Sequence, residues 1–190
     1  MKEFFQKLFL ILAIISSLFS GFSISNASSY TITNNRIEFP SYKLSILQPP
    51  EEYDLVEKGG EELIIWRDHG TSNLILILTS KKGLYLTNQE NIKSYAEFIR
   101  DLHIRNKEKA TYEITEEKET QFNKKKFYQA KIIIHDNSIR GMENIFSITS
   151  LLYLYRSSHF TYFFAYSAFH DDEKIKLILD EMMKSVIFLE

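Results

Sequence analysis

Three short clusters in the sequence combine side chains that could do chemistry, and the first has the composition of a metal site. His170-Asp171-Asp172 places an imidazole beside two carboxylates, and both ligand types bind divalent metals. The same carboxylates stand at the start of a predicted helix, where free N–H groups and the helix dipole favour acidic side chains. Since no second ligand pair with fixed spacing supports a metal, the sequence favours a helix start.

The other two clusters pair a histidine with a possible catalytic partner. His135-Asp136 could supply a base and its orienting carboxylate, but it closes an apolar predicted strand, where polar residues are ordinary. Ser157-Ser158-His159 contains a nucleophile and a base. Neighbours on an extended chain point to opposite faces, however, and a reactive serine needs its base within about 2.6–3.2 Å. A turn is the better interpretation of that tripeptide.

Sequence motifs of several large enzyme and nucleotide-binding classes are absent. The chain contains no G-x-S-x-G, H-E-x-x-H, G-x-G-x-x-G or P-loop pattern, each of which has a known physical role in its site. The sequence therefore predicts a protein that is not an enzyme. It names no catalytic, cofactor-binding or metal-ligating residue and implies no cofactor.

The charge balance excludes one large class of partners. With 23 basic and 25 acidic residues, the chain has a formal net charge of −2 and lacks the basic footprint of a nucleic-acid binder. Lys124-Lys125-Lys126 is a basic cluster at a predicted hairpin tip, where it is interpreted as solvated, with contact to acidic lipid or a polyanion as the alternative. Acidic residues of Glu113 to Glu119 could neutralise this cluster across the hairpin.

Apolar periodicity predicts the elements that would position these residues. A helix is expected from Gln89 to His103, capped by Thr87 or Asn88, and a second from Asp171 to Lys184, because apolar residues recur at three-to-four spacing in both. Alternating or short apolar segments predict strands. These are Ile37 to Phe39 with Tyr42 to Gln48, Leu63 to Arg67, Asn73 to Thr79, Ala110 to Lys118, Lys125 to Asp136, Ile145 to Tyr155, His159 to Ser167 and Val186 to Leu189.

Two remaining segments and the turns complete the prediction. Tyr30 to Asn35 is expected to be a polar leader, and Glu51 to Glu62, which contains Gly59-Gly60, a charged loop. Asn123-Lys124 suits a hairpin turn because asparagine tolerates positive φ. The result is an α+β fold in which an antiparallel sheet of about six strands is flanked by helices.

One face of this sheet should be strongly aromatic. Six aromatic residues alternate along two adjacent predicted strands: Tyr153, Tyr155, Phe160, Tyr162, Phe164 and Tyr166. Such a stripe could line a ligand groove, but it is more often core beneath a helix. We therefore expect the C-terminal helix to cover it with Ile175, Ile178, Leu179, Met182 and Met183.

The order of elements from Arg36 to Glu190 resembles the Mog1/PsbP-like fold, an α/β/α sandwich. The residues that carry the resemblance are Phe39-Pro40, Phe122-Asn123-Lys124-Lys125, the aromatic strand Phe160 to Tyr166 and the ending Lys184-Ser185-Val186-Ile187-Phe188. The resemblance implies a non-catalytic accessory protein that binds a partner, without naming the ligand.

The N-terminus predicts export. Lys2 and Lys7 precede an apolar segment from Leu8 to Phe22, which is short for a membrane span but suits a signal peptide. Ser25 and Ala27 supply the small residues of a cleavage site, so residues 1–27 are the expected signal peptide and 28–190 one globular domain. With no cysteine in the chain, its stability must come from packing. An uncleaved membrane anchor is the alternative.

These observations leave three function hypotheses. The leading one is an exported bacterial protein, periplasmic or secreted, that binds a protein or cell-envelope component and neither nucleic acid nor a cofactor. The second is a small envelope hydrolase in which His135, His159 and carboxylates converge only in the folded chain. The third is a membrane-anchored structural partner of an envelope complex. The oligomeric state is not predicted.

Overall fold

The computed structural model describes residues 30–58, 63–71, 73–104, 109–136, 147–169 and 172–189. The predicted signal peptide, the Gly59-Gly60 pair, His170 and Asp171 lie outside the described residues. Eleven strands and two helices are described. They are β1 (Thr31–Thr33), β2 (Arg36–Phe39), β3 (Leu44–Leu47), β4 (Tyr53–Lys58), β5 (Leu63–Asp68), β6 (Leu74–Ser80), α1 (Asn88–His103), β7 (Ala110–Phe122), β8 (Lys125–Asp136), β9 (Ser147–Arg156), β10 (Thr161–Ala168), α2 (Glu173–Ser185) and β11 (Ile187–Phe188).

The strands form two antiparallel sheets. The large sheet has seven strands in the order β4-β5-β6-β10-β9-β8-β7, and the small sheet has four in the order β1-β2-β3-β11. Within the large sheet, β10 lies between β9 and β6. Strand β11 pairs with β3 and so joins the C-terminal end of the described chain to its N-terminal part.

Two apolar cores lie on opposite faces of the large sheet. On one face α1 contributes Ile92, Tyr95 and Ile99 to a core with residues of β6, β8, β9 and β10. On the other face α2 and the small sheet together cover the aromatic residues of β9 and β10. The molecule is therefore layered, with α1, the large sheet, and a third layer made of α2 and the small sheet.

Local sequence explains where the helices begin. Thr87 is the N-cap of α1 in a capping box with Glu90, as the Thr87 hydroxyl accepts from the Glu90 N–H and the Glu90 carboxylate accepts from the Thr87 N–H. Asp172 caps α2, with its side chain accepting from the N–H groups of Lys174 and Ile175. The predicted acidic helix start is thus confirmed at Asp172.

Most predicted elements are confirmed, with three corrections. The sheet of about six strands is a seven-stranded and a four-stranded sheet, and the polar leader contains β1. The charged loop predicted from Glu51 to Glu62 is wrong over Tyr53–Lys58, which forms β4 and pairs with β5. The segment was predicted to be a loop because it contains charged residues. β4 is an edge strand, and the side chains on one of its faces remain in solvent. Tyr53 is therefore buried while Asp54 is exposed.

The aromatic stripe is core, as expected. Five of its members are buried and Tyr155 is half-buried, and the covering set on α2 packs in the same core with four buried residues and a partly buried Ile178. The small sheet shares this covering role, which the sequence did not predict. The rings of Tyr155 and Phe188 lie 4.3 Å apart between centroids, and those of Tyr162 and Phe188 4.9 Å.

Candidate functional site

The Ser157-Ser158-His159 tripeptide forms a turn between β9 and β10. The Ser157 hydroxyl oxygen accepts from the N–H groups of His159 and Phe160, each at 3.1 Å. This places the serine oxygen in backbone hydrogen bonds and confirms that the tripeptide is a turn.

His135 lies far from His159. His159 lines a pocket together with Lys125, the first residue of β8, whereas His135 near the other end of β8 pairs with Ser147. The His135 Nε2 atom is 3.5 Å from a Glu113 carboxylate oxygen, and the glutamate side chain is largely exposed. The two histidines named in the hydrolase hypothesis are therefore not brought together.

The carboxylate of Asp172 is engaged in structural hydrogen bonds. Besides capping α2, it accepts a hydrogen bond from the Asn73 side chain at 3.1 Å. Among the residues that the structure describes, no group of three or more acidic or histidine side chains could hold a metal ion. The metal interpretation of His170-Asp171-Asp172 cannot be followed further, since its first two residues lie outside the described chain.

A pocket of about 310 Å3 lies where β8 begins, β9 ends and β11 pairs with β3. We call it the basic pocket and define it by Lys43, Lys125, Tyr155, His159, Tyr162 and Phe188. Ser157, Ser158 and Leu189 complete its lining. It gathers three features that the sequence presented separately: the lysine cluster, the serine-histidine turn and the aromatic strands.

Lys125 is positioned by the hairpin turn that precedes it. Asn123 and Lys124 both have positive φ, at 48° and 63°, as a tight two-residue hairpin requires. The Lys125 ammonium then lies over the rings of Phe188 and Tyr155, 5.1 Å and 5.5 Å from their centroids, and 3.4 Å from the Tyr155 hydroxyl. Cation–π contacts of this kind hold an ammonium without neutralising its charge.

Lys43 enters the pocket from the small sheet. It follows a short 3-10 turn at Pro40–Tyr42 and has a left-handed backbone, with φ of 52°. Its carbonyl accepts from the Leu189 N–H at 2.8 Å, and the neighbouring Tyr42 carbonyl accepts from the Tyr162 hydroxyl at 2.7 Å. These bonds fix the backbone of Lys43 against β10 and the chain after β11.

The described lining of the pocket is basic. Two lysines and a histidine line it, and no described residue of its lining is acidic. The neighbouring Lys126 points to the other face of the sheet, as alternation on a strand requires, and lies 3.5 Å from a Glu119 carboxylate oxygen. Neutralisation across the hairpin is thus confirmed for Lys126, but Glu119 does not line the pocket.

A second cavity, of about 460 Å3, lies on the opposite face between α1 and the large sheet. We call it the α1 groove; Lys82, Lys93, Glu90 and Glu97 are among its lining residues. Lysines and glutamates are therefore mixed along it. Its charge gives no preference for a ligand of one sign.

Sequence reasoning missed a serine-histidine contact elsewhere in the fold. His103 Nε2 lies 2.8 Å from the Ser167 hydroxyl, and its ring meets Phe169 edge-on. Burial, together with the positive charge of Arg67, lowers the pKa of His103 to about 4. Ser167 itself is fully buried. A buried serine beside a weakly basic imidazole is suited to packing and not to nucleophilic attack.

Comparisons with known proteins give likenesses in structure alone. No family model and no curated protein sequence matches the chain. The solution structure of cyanobacterial PsbP (CyanoP) from Synechocystis sp. PCC 6803 is similar with a TM-score of 0.55 and 12% identity, over 87% of this chain and 96% of that one. The fold is Mog1/PsbP-like.

Two further structures share this fold. The Ran-binding protein Mog1p of Saccharomyces cerevisiae matches with a TM-score of 0.54 and 9% identity, over 84% of this chain and 97% of that one. A protein of Bacteroides thetaiotaomicron VPI-5482 matches with a TM-score of 0.53 and 10% identity over 84% of this chain. The match covers 50% of that protein. At these identities the Mog1/PsbP-like architecture is shared without any implied activity.

Proposed function

We propose that the protein is an exported, non-catalytic binding module that recognises a component of the bacterial cell envelope through the basic pocket. The observation that carries this proposal is the convergence of Lys43, Lys125 and His159 in a pocket without an acidic lining residue among those described. Such a pocket attracts an anionic group, because opposite charges interact strongly where surrounding protein lowers the local dielectric.

The arrangement of histidines and serines supports a binding role over hydrolysis. A hydrolase would need a nucleophile, a base and an orienting group in mutual contact. Ser157 is occupied by backbone donors, His135 is at the other end of β8, and burial together with the positive charge of Arg67 lowers the pKa of His103, which contacts Ser167. The two histidines named in the hydrolase hypothesis, His135 and His159, therefore do not belong to one catalytic set.

The shared fold gives indirect support for the same proposal. Mog1p is described as a Ran-binding protein, so this architecture can host recognition of another macromolecule. Function resides in the site and not in the fold, however. The proposal for this chain accordingly rests on the basic pocket.

Export is proposed from the N-terminal sequence. Lys2 and Lys7, the apolar segment after them and the Ser25-x-Ala27 site support a cleaved signal peptide. An uncleaved anchor is the alternative and would keep the same binding module at the membrane. Within the described residues, neither helix has the length and hydropathy needed to cross a membrane.

Affinity capture from the envelope fraction of the producing cell tests the proposed function. The bait is the purified protein, compared with a Lys43→Met/Lys125→Met double variant and with Lys126→Met, which removes a neighbouring charge on the other face. Wild type and Lys126→Met should retain the same envelope component and the double variant should lose it. Equal retention by all three would contradict a role for the basic pocket.

A further inference from the structure

We infer that the basic pocket binds a phosphate group, carried either by a small organic phosphate or by a lipid head group. This inference rests on the proposed function and adds the chemical class of the ligand. It is drawn from the number and type of the cations, the donors around them, and the size and walls of the pocket.

The cations suit a phosphate group. Lys43, which directly precedes β3, and Lys125, at the start of β8, are separate point charges in the lining, and lysine binds phosphate in this way. A tetrahedral anion with several oxygens can accept from two ammonium groups that approach from different directions.

Lys125 is held in place before a ligand arrives. Its ammonium contacts the faces of Tyr155 and Phe188 and the Tyr155 hydroxyl, and these groups are neutral. These contacts include no acidic partner, and they restrict the side-chain freedom of Lys125 in the free protein. Binding an anion then costs less ordering entropy than it would at a freely mobile lysine.

Polar side chains and apolar walls complete the site. Ser158 and His159 stand at the rim as exposed residues with polar side chains, while Phe188 and Leu189 supply apolar surface. The volume of about 310 Å3 is at the lower end of the usual range for small-molecule pockets. The pocket therefore suits a phosphate group with a few attached carbon atoms, such as glycerol phosphate.

Titration with glycerol 3-phosphate, followed by backbone amide NMR shifts, tests the inference on the purified protein. Saturable shifts should concentrate at residues 157–160 and 187–189, and glycerol at equal concentration should produce none. Lys43→Met and Lys125→Met should each weaken binding about tenfold or more, because each removes a charge-assisted hydrogen bond. Lys126→Met is the matched control and should bind as wild type does.

Vesicles distinguish the two sources of the phosphate. Co-sedimentation with phosphatidic acid in a phosphatidylcholine background, compared with phosphatidylcholine alone, reports a lipid head group. Binding to glycerol 3-phosphate without sedimentation assigns a soluble organic phosphate, and both together assign the head group. Absence of binding to both probes would overturn the inference, and so would binding of the Lys43→Met and Lys125→Met variants as tight as that of the wild type. If envelope capture still depends on those lysines, the proposed function survives with a ligand of other chemistry.

Discussion

Asn123 shows how one residue serves both a turn and the attachment of that turn to the end of α2. It has positive φ in the β7–β8 hairpin, and its side-chain amide donates to the carbonyls of Lys184 at 2.6 Å and Val186 at 3.3 Å. Those carbonyls lie at the end of α2, where intrahelical partners run out. The sequence predicted the turn from the tolerance of asparagine for positive φ, but the bond to α2 spans 61 residues and leaves no local signal.

Asn123→Gly should separate these two roles. Glycine adopts the required φ without strain, so the expected loss of about 1–2 kcal/mol in the free energy of unfolding comes from the missing side-chain hydrogen bonds. Lys124→Gly is the control, since it keeps the turn and removes no such bond. Urea denaturation measures both variants, and equal midpoints would contradict the bridging role of Asn123.

His103 should make stability depend on pH. Burial and Arg67 lower its pKa from 6.5 to about 4, so between these values the unfolded chain binds the proton and the folded chain does not. Stability should therefore fall as pH decreases from about 6.5 to about 4, by at most about 1.4 kcal/mol per pH unit.

A His103→Gln variant provides the comparison. Glutamine removes the titrating group and keeps an amide that can reach Ser167, so the free energy of unfolding should depend less on pH over the same interval. Carboxylates such as Asp68 and Glu90, whose pKa values are lowered, titrate in both proteins and cancel in the difference. Parallel pH profiles for wild type and variant would show that His103 does not carry this effect.

At the scale of elements, long amphipathic segments could be predicted and short edge strands could not. The helix α1 satisfies three local rules at once, namely the Thr87 cap, the Glu90 partner and a three-to-four apolar spacing. Strand β4 has no comparably clear local signal. Half of the side chains of an edge strand face water, so its sequence contains charged residues. Strand β1 has three residues, all exposed, and so carries no burial pattern to recognise.

The helix α2 allows a matched test of packing against the aromatic strands. Leu179 is 1% exposed and Leu177 is 60% exposed on the same helix. Leu179→Ala should cost about 2–5 kcal/mol through lost apolar contact and a cavity, whereas Leu177→Ala should change stability by less than about 0.5 kcal/mol. Thermal or urea denaturation gives both values. Similar losses for both would contradict the packing of α2 as part of the core.

At the scale of the whole molecule, the candidate site is visible in sequence only as separate parts. Lys125, His159 and Tyr155 each belonged to a recognised cluster or stripe, but nothing local indicated that they meet. Lys43 was missed altogether because it lay inside a predicted strand. The pairing of β3 with β11, which brings residues 44 and 188 together, completes the pocket and depends on the tertiary fold.

Processing after Ala27 is the prediction for the chain as a whole. The small residues Ser25 and Ala27 behind a short apolar segment suit signal peptidase, so the protein recovered from its producing cell should begin at Ser28. Intact-mass measurement with N-terminal peptide sequencing decides this. Recovery of a membrane-bound form that retains residues 1–22 would favour the anchor.

Hydrogen–deuterium exchange in the presence of envelope extract tests the central claim most directly, because it locates a binding surface without requiring the identity of the ligand. The purified protein should gain protection at residues 155–162 and 187–189, which surround the basic pocket, and show no change at residues 82–97 along the α1 groove. The Lys43→Met/Lys125→Met variant should show no gain in protection at either place when the extract is added. Protection confined to the α1 groove, or protection of the basic pocket that persists in the double variant, would contradict the assignment of the basic pocket as the binding surface.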